Sequence, residues 1–438
     1  MRAPPGSFSV DLFLNYLAFA LTAVSGLVFL LICATYLGMA GLGVVNQVMA
    51  LYVILGQVAV GGIQFSALQT ASDPTLDDDD RRAAIWAAIV MATFWGVGVA
   101  VVAYVGSEIA GQVFSSPQVG EGLAHVAPAL AFFALNKTAA SALNGLNRMR
   151  RFALQMGLRA ILLAAFAWLL VATGAGPVEV CQAFLGAELL LTLFLLSQIF
   201  VIVGRAHLTM LAPQRLARHL SFGLRGLWSG LAYEMNVRLD VLMIGLFLND
   251  AAVGLYGLVA QLAEGFFNIL VVLRNQLAPM VSRLAASGNV MALRGLAFRL
   301  LTIVVPSAAL VASVGTALYA PAVALVLPGQ GYEAGTSLLA ILLLGLVINA
   351  WIMPLETLLV VSGNPGLYSL MMLGVVLTNT IANLLLIPFL GVNGSALATS
   401  TSTMLSGLYF LIMVRRLLGY WILPDFHQMS WNLHSAKR

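Results

Sequence analysis

The sequence predicts an all-α polytopic membrane protein, with twelve transmembrane helices in two six-helix pseudo-symmetric lobes. Three observations predict it. Hydrophobic residues fill 61% of the 438 positions and charged residues only 9%, with mean hydropathy +0.97, whereas soluble domains hold about 25% charged residues. Apolar runs long enough to cross the ~30 Å hydrocarbon layer recur along the whole chain. Fifteen of the 21 Lys and Arg fall in segments on one side of such a layer, if the N-terminus is taken as cytoplasmic. The opposite loops hold none, and a bias this complete predicts both an even span count and cytoplasmic N- and C-termini.

Taken in order, the apolar runs place spans at about 11–37, 43–68, 83–106, 123–146, 152–173, 179–204, 221–247, 251–279, 294–318, 337–361, 366–389 and 394–418. The start, MRAPPGSFSV, has one Arg and no small-residue cleavage site, and reads as a retained segment. The expected domains are an N-terminal lobe at 1–204, a basic cytoplasmic linker at 205–220, a C-terminal lobe at 221–419 and a cytoplasmic tail at 420–438. The net charge of +4 is mostly this topology, with some attraction to anionic membrane lipids. Cys33 and Cys181 both fall inside spans and offer no disulfide or metal framework. The run Asp77–Asp80 before Arg81 and Arg82 lacks the alternating spacing of a calcium loop and reads as a solvated turn.

The two halves repeat. TYLGMAGLGVVNQVMALYVILGQ (Thr35–Gln57) aligns with LFLNDAAVGLYGLVAQLAEGFFN (Leu246–Asn268) at a shift of 211 residues, which puts Gly43 on Gly254, Gln57 on Asn268 and Gln64 on Asn275. Six spans return the chain to its starting side, so the repeats are parallel about an axis along the membrane normal.

The spans carry more charge than a passive bundle needs. Glu234, Arg238, Asp240, Glu264 and Arg274 cluster between Ser221 and Ser287, and Lys137 lies deep in the fourth span. A charge at such depth costs about 2.5–3.5 kcal/mol or more and calls for a partner or a wet cavity. Glu234 and Arg238 are four apart and can pair on one helix face. Arg159, Arg225 and Arg299 sit near the cytoplasmic ends of their spans, where snorkelling accounts for them. Polar stripes recur at helical spacing: Asp11, Asn15 and Thr22; Asn46, Gln57 and Gln64; Lys137, Ser141 and Asn144; Gln261, Glu264, Asn268 and Asn275; Asn349 and Glu356. Each stripe has two readings, a face on a hydrated interior or hydrogen-bonding glue between helices. Pro128, Pro306 and Pro354 lie inside spans and can kink them. No catalytic triad, metal pair, P-loop or dinucleotide fingerprint is present, so the chain reads as a non-enzyme without cofactor. Nothing points to nucleic acid. Without an ATP site, transport would run on an ion gradient, the membrane potential or mass action.

Two patches carry a family resemblance: RLDVLMIGLFLNDAAVGLYGLVAQLAE (Arg238–Glu264) with LAPMVSRLAA (Leu277–Ala286), and VVSGNPGLYSLMMLGVVLTNTIANLLLIPFLGVNGSALATSTS (Val360–Ser402) with Asn379, Asn383, Pro388, Gly391 and Gly394. On these the sequence resembles the polysaccharide-export branch of the multidrug/oligosaccharidyl-lipid/polysaccharide (MOP) flippase superfamily, the Wzx-like flippases. The resemblance implies a MATE/MOP-like pair of lobes working by alternating access in a bacterial inner membrane. Its implied cargo is a polyprenyl-pyrophosphate-linked oligosaccharide of cell-surface polysaccharide biosynthesis, such as O-antigen, lipopolysaccharide or exopolysaccharide, and its implied partners are polymerase and export machinery. On that reading Lys137, Arg238 and Arg274 contact anions, and Gln57, Gln64, Asn268 and Asn275 contact sugar. Glu234, Asp240 and Glu264 balance the charge or hold a coupling H+ or Na+. The peptidoglycan-precursor flippases of the superfamily look like fourteen-span proteins, unlike the twelve expected here. A MATE-type cation-coupled drug exporter is the alternative, and a non-transporting scaffold of a glycan-assembly complex is an alternative of another class.

Overall fold

The computed structural model describes residues 7–205 and 212–423. The linker stretch 206–211 and the tail from 424, with Lys437 and Arg438, lie outside the described residues. Every regular element among the described residues is helical, and the chain divides into two compact units, Met1–Gly254 and Leu255–Arg438.

The first unit opens with α1 (Ser7–Val60), which is 54 residues long and broken at Gly38, where φ is +68°. A left-handed residue cannot continue a right-handed helix, and glycine adopts it at no steric cost. Two expected spans, 11–37 and 43–68, therefore become two arms of one element. Gly61 and Gly62, both at positive φ, then turn the chain into α2 (Ile63–Ser72). Next come α3 (Asp78–Val105), α4 (Ser107–Val113), α5 (Pro117–Val126) and α6 (Ala129–Gly145), with a 49° bend between α5 and α6 at Ala127–Pro128. α7 (Met149–Ala172), α8 (Pro177–Val180), α9 (Gln182–Ile202) and α10 (Pro213–Phe247) complete it. Its apolar core includes Ile85, Ile89, Leu143, Leu191, Leu195 and Ile199, from α3, α6 and α9.

α10, which the sequence reading grouped with the C-terminal lobe, packs in this first unit on α1, α2 and α3. One glycine contact holds it there, and a second holds the chain just past its end. A Cβ on Gly62 would lie 2.1 Å from the carbonyl oxygen of Gly223, and one on Gly43 would lie 1.7 Å from that of Asp250. Three hydrogen bonds run at and around these crossings: Ser66 Oγ with His219 Nδ1 (2.8 Å), Gln57 Nε2 to Glu234 Oε1 (3.3 Å) and Gln47 Nε2 to Asp250 Oδ1 (2.6 Å). Small residues let backbones approach and polar side chains then bond across the seam. The repeat-equivalent glycines meet each other at one end of it. A Cβ on Gly254 would lie 1.9 Å from Met39 O and 3.1 Å from Gly43 N.

The second unit takes up α11 (Asp250–Ala286) after Gly254. α12 (Val290–Arg299) runs through a π-helical turn at Leu300–Val304 into α13 (Val305–Val326), with Pro306 just past that turn. α14 (Thr336–Asn349) ends in an irregular stretch with Met353–Leu355 as one 3₁₀ turn, before α15 (Thr357–Val361). α16 (Pro365–Leu390) and α17 (Val392–Leu418) form a hairpin turned by Gly391 at φ +57°. Val281, Leu293, Leu355, Leu358, Met371 and Phe410 are among the residues of its apolar core. Asn379 bonds Thr399 and Ser402 across the hairpin, Asn383 bonds Asn379, and Asn349 bonds Ser406. Pro128, Pro306 and Pro354 all fall at breaks or bends.

Among the described residues, nine helices are long and apolar enough to cross a membrane, ten if α5 and α6 form one bent span. The twelve expected spans differ from this count at two places. The first two share α1, and the seventh is α10, where Glu234, Arg238 and Asp240 fall within seven residues.

Gly43→Val should lower stability by about 2 kcal/mol or more, because its side chain meets backbone that cannot yield. Gly98→Ala, with nothing within 4 Å, should not destabilise. Thermal unfolding in detergent checks both.

Candidate functional site

The densest polar cluster lies inside the first unit, around Glu188 of α9. Its side chain is 1% exposed, in a segment (AFLGAELLLTLFLL) otherwise almost wholly apolar. A buried carboxylate is tolerable only with donors on its oxygens, and three helices supply them. Arg159 Nε of α7 donates at 2.6 Å and Tyr52 OH of α1 at 3.1 Å, both to Oε1. Asn136 Nδ2 of α6 donates to Oε2 at 2.7 Å and to the Glu188 carbonyl at 2.9 Å. Thr192 Oγ1 lies 2.9 Å from Asn136 Oδ1 and 2.8 Å from the Glu188 carbonyl.

Phe133 of α6 borders this cluster. Its ring centroid is 5.6 Å from that of Tyr52 and 5.1 Å from the Arg159 guanidinium carbon. One helical turn on, Lys137 Nζ lies 5.8 Å from the same centroid. From Phe133 to Ala140 every residue of α6 is buried except Lys137, which is exposed. Lys137 makes no ion pair or hydrogen bond among the described residues. Arg159, Glu234 and Glu188 act on it only through space. The arrangement offers one open ammonium beside a guanidinium already matched by a carboxylate. Such a face can receive an anionic group.

The other expected site residues are placed as follows. Gln57 and Gln64 are each 7% exposed, and Gln57 bonds Glu234 in the α1–α10 seam. The i,i+4 pair between Glu234 and Arg238 does not form. Glu234 takes the Gln57 amide instead, and Arg238 Nε is buried without a hydrogen bond among the described residues. Asp240 is buried. In the second unit Glu264, Asn268 and Arg274 are half-buried and Asn275 is exposed on α11. Arg274 is the charged neighbour of Glu356, which is 5% exposed beside the α14–α15 break. The side chains of Asp11 and Asn15 lie outside the described residues.

The acidic turn at the start of α3 has local work. Asp77 caps the helix through Asp80 N at 2.7 Å, Asp78 and Asp79 pair with Arg81 and Arg82, and Asp80 pairs with Arg215 at 2.8 Å. The Thr75 hydroxyl and amide hold Asp73 below the usual carboxylate range. No group of metal-ligating side chains exists among the described residues.

Glu188, Tyr52 and Asn136 were not among the residues the sequence singled out, and Arg159 was read there as a snorkelling cation. The one signal in the sequence was a lone Glu within an apolar run.

A multi-pass helical bundle with mid-helix charge in each unit defines a polytopic membrane protein, and its fold is like that of MOP superfamily structures. Solved structures agree on that fold. The lipid II flippase MurJ in an inward closed conformation matches with TM-score 0.72 and 16% identity, over 92% of this chain and 87% of that one. An inward-facing multidrug resistance MATE family transporter of the MOP superfamily matches with TM-score 0.74 and 13% identity, over 91% and 94%. A MOP superfamily transporter from Pyrococcus furiosus, described as having a binding pocket of reverse polarity, matches with TM-score 0.56 and 14% identity, over 93% and 94%. No curated protein sequence matches the chain. The family profile for polysaccharide biosynthesis proteins matches residues 11–285, more than half of the chain, and the chain belongs to that family.

Two outcomes are expected. A cysteine at Lys137 should react with a membrane-impermeant thiol reagent while one at Gln57 stays protected, with little background because Cys33 and Cys181 are buried. Glu188→Ala should cost about 3 kcal/mol in detergent unfolding, because Arg159, Tyr52 and Asn136 lose their acceptor together.

Proposed function

We propose that the protein is a flippase that moves a polyprenyl-pyrophosphate-linked oligosaccharide from the cytoplasmic to the periplasmic leaflet of a bacterial inner membrane. Family membership supports a role in polysaccharide biosynthesis, and the MOP-like fold supports alternating access. The single observation that carries the reading is Lys137, an exposed and unpaired ammonium on an otherwise buried helix face. A cation in that position stands ready for a phosphate or acidic sugar.

In this reading the chain crosses the membrane twelve times, counting both arms of α1 and α10, and both termini are cytoplasmic. Lys137, Arg238 and Arg274 are the residues assigned to the anionic headgroup. Asn268 and Asn275 are better placed for sugar hydroxyls than Gln57 and Gln64, because they are less enclosed. Glu234, Asp240 and Glu264 offset the cations, and any coupling ion, H+ or Na+, would bind at one of them. Polymerase and export proteins take the delivered cargo. A cation-coupled drug exporter would instead expose acids, yet Glu188 is closed off by its donors.

Lys137→Ala should abolish glycolipid translocation in reconstituted vesicles while membrane insertion and thermal midpoint stay near wild type. Lys137→Arg should retain most of it. Full transport by the alanine variant would remove Lys137 from the path and the reading with it.

A further inference from the structure

Arg159 of the Arg159–Glu188 pair and Lys137 share the Phe133 ring, yet the two cations are in opposite situations. Arg159 is joined to a carboxylate at 2.6 Å, and its side chain is still 35% exposed. Lys137 is exposed and makes no ion pair or hydrogen bond among the described residues. Both lie against the same Phe133 ring, at 5.1 and 5.8 Å from its centroid. A guanidinium that is one-third open and five donors strong could serve an anion as well as an ammonium could. The Glu188 carboxylate is what prevents it. That carboxylate is held by Tyr52 and Asn136 as well as by Arg159, more donors than a structural pair alone needs. Glu234, bonded to Gln57, is the other acid acting on Lys137.

We propose that Glu188 is a positioning residue that sets the charge of the anion-binding face: by holding Arg159 in a neutral pair it leaves Lys137 as the contacting cation, so that an anionic group is held by one charge and can be released. The inference rests on the reading of Lys137 as the anion contact. Removing only the charge of Glu188 frees Arg159 as a second contact, which strengthens anion binding and slows release. Binding and turnover then move in opposite directions, which loss of a structural bond alone would not produce.

The test uses full-length protein in detergent, inorganic pyrophosphate as the probe and calorimetry as the readout. Lys137→Ala should weaken pyrophosphate binding about tenfold, the size of one charge-assisted hydrogen bond. E188Q should tighten it several-fold, and K137A/E188Q should return it to within about threefold of wild type, since Arg159 replaces the missing ammonium. R159Q/E188Q, which removes both charges together, should bind as wild type does. A K137A/E188Q protein as weak as K137A, or a gain in R159Q/E188Q equal to that in E188Q, would overturn the proposal. Should E188Q fail to fold, R159Q/E188Q carries the test alone: wild-type affinity is expected, and a tenfold loss would mean that Arg159 itself grips the anion. Binding that does not depend on Lys137 in wild type would sink the functional reading and this inference together. Lys137-dependent binding without rescue would sink this inference only.

Discussion

A carboxylate closed inside a helix bundle is stable only when donors reach both its oxygens, and in this protein that requirement arranges the first unit around Glu188. Four helices must keep register for Tyr52, Asn136, Arg159 and Glu188 to meet. Such networks reward complete satisfaction and penalise partial satisfaction heavily. Sliding any one of these helices by a turn would leave a buried charge alone. The cluster thus works as a gauge on helix register as well as a local set of bonds. Lys137 owes its position to the same gauge, one turn along α6 from the shared phenylalanine.

The seam between α1 and α10 works by a different physics. Glycines at Gly43, Gly62, Gly223 and Gly254 let backbones touch where a methyl group would collide. Side-chain hydrogen bonds run along the same stretch. In an apolar surrounding, helices gain little from hiding hydrocarbon, since lipid is as apolar as leucine; close packing and hydrogen bonds decide which helices pair. α10 is assigned to the first unit on that basis. Its charged residues, which looked in sequence like a private ion pair and an opposite polar face, answer to α1 instead: Glu234 turns to Gln57, and Arg238 is left with a buried Nε–H.

Much of the fold was legible in the sequence because hydropathy and chain breakers are local. The expected spans 83–106, 152–173, 366–389 and 394–418 end within a few residues of α3, α7, α16 and α17. Pro128, Pro306 and Pro354 all lie at irregularities, where a ring without an N–H costs no helical hydrogen bond, although Pro279, Pro321 and Pro388 stand inside continuous helices. The site was less legible. Lys137 stood out by depth, but Glu188 did not, because its partners come from 29, 52 and 136 residues away. Gln57 and Gln64 matched a water-facing stripe equally well, since the same amide spacing serves a cavity or a neighbouring helix.

What the sequence determined by itself was the class of solvent and the spacing of its marks: apolar runs long enough to span, and basic residues gathered mostly in the segments between them. These follow from transfer free energies and charge counts, which do not depend on which helix lies beside which. Tertiary structure alone decided which polar residues are joined and which stand open. Side-chain pairing depends on angstrom-scale register between helices distant in sequence. That is why Arg159 is matched to a carboxylate, while Lys137, against the same Phe133 ring, makes no ion pair among the described residues.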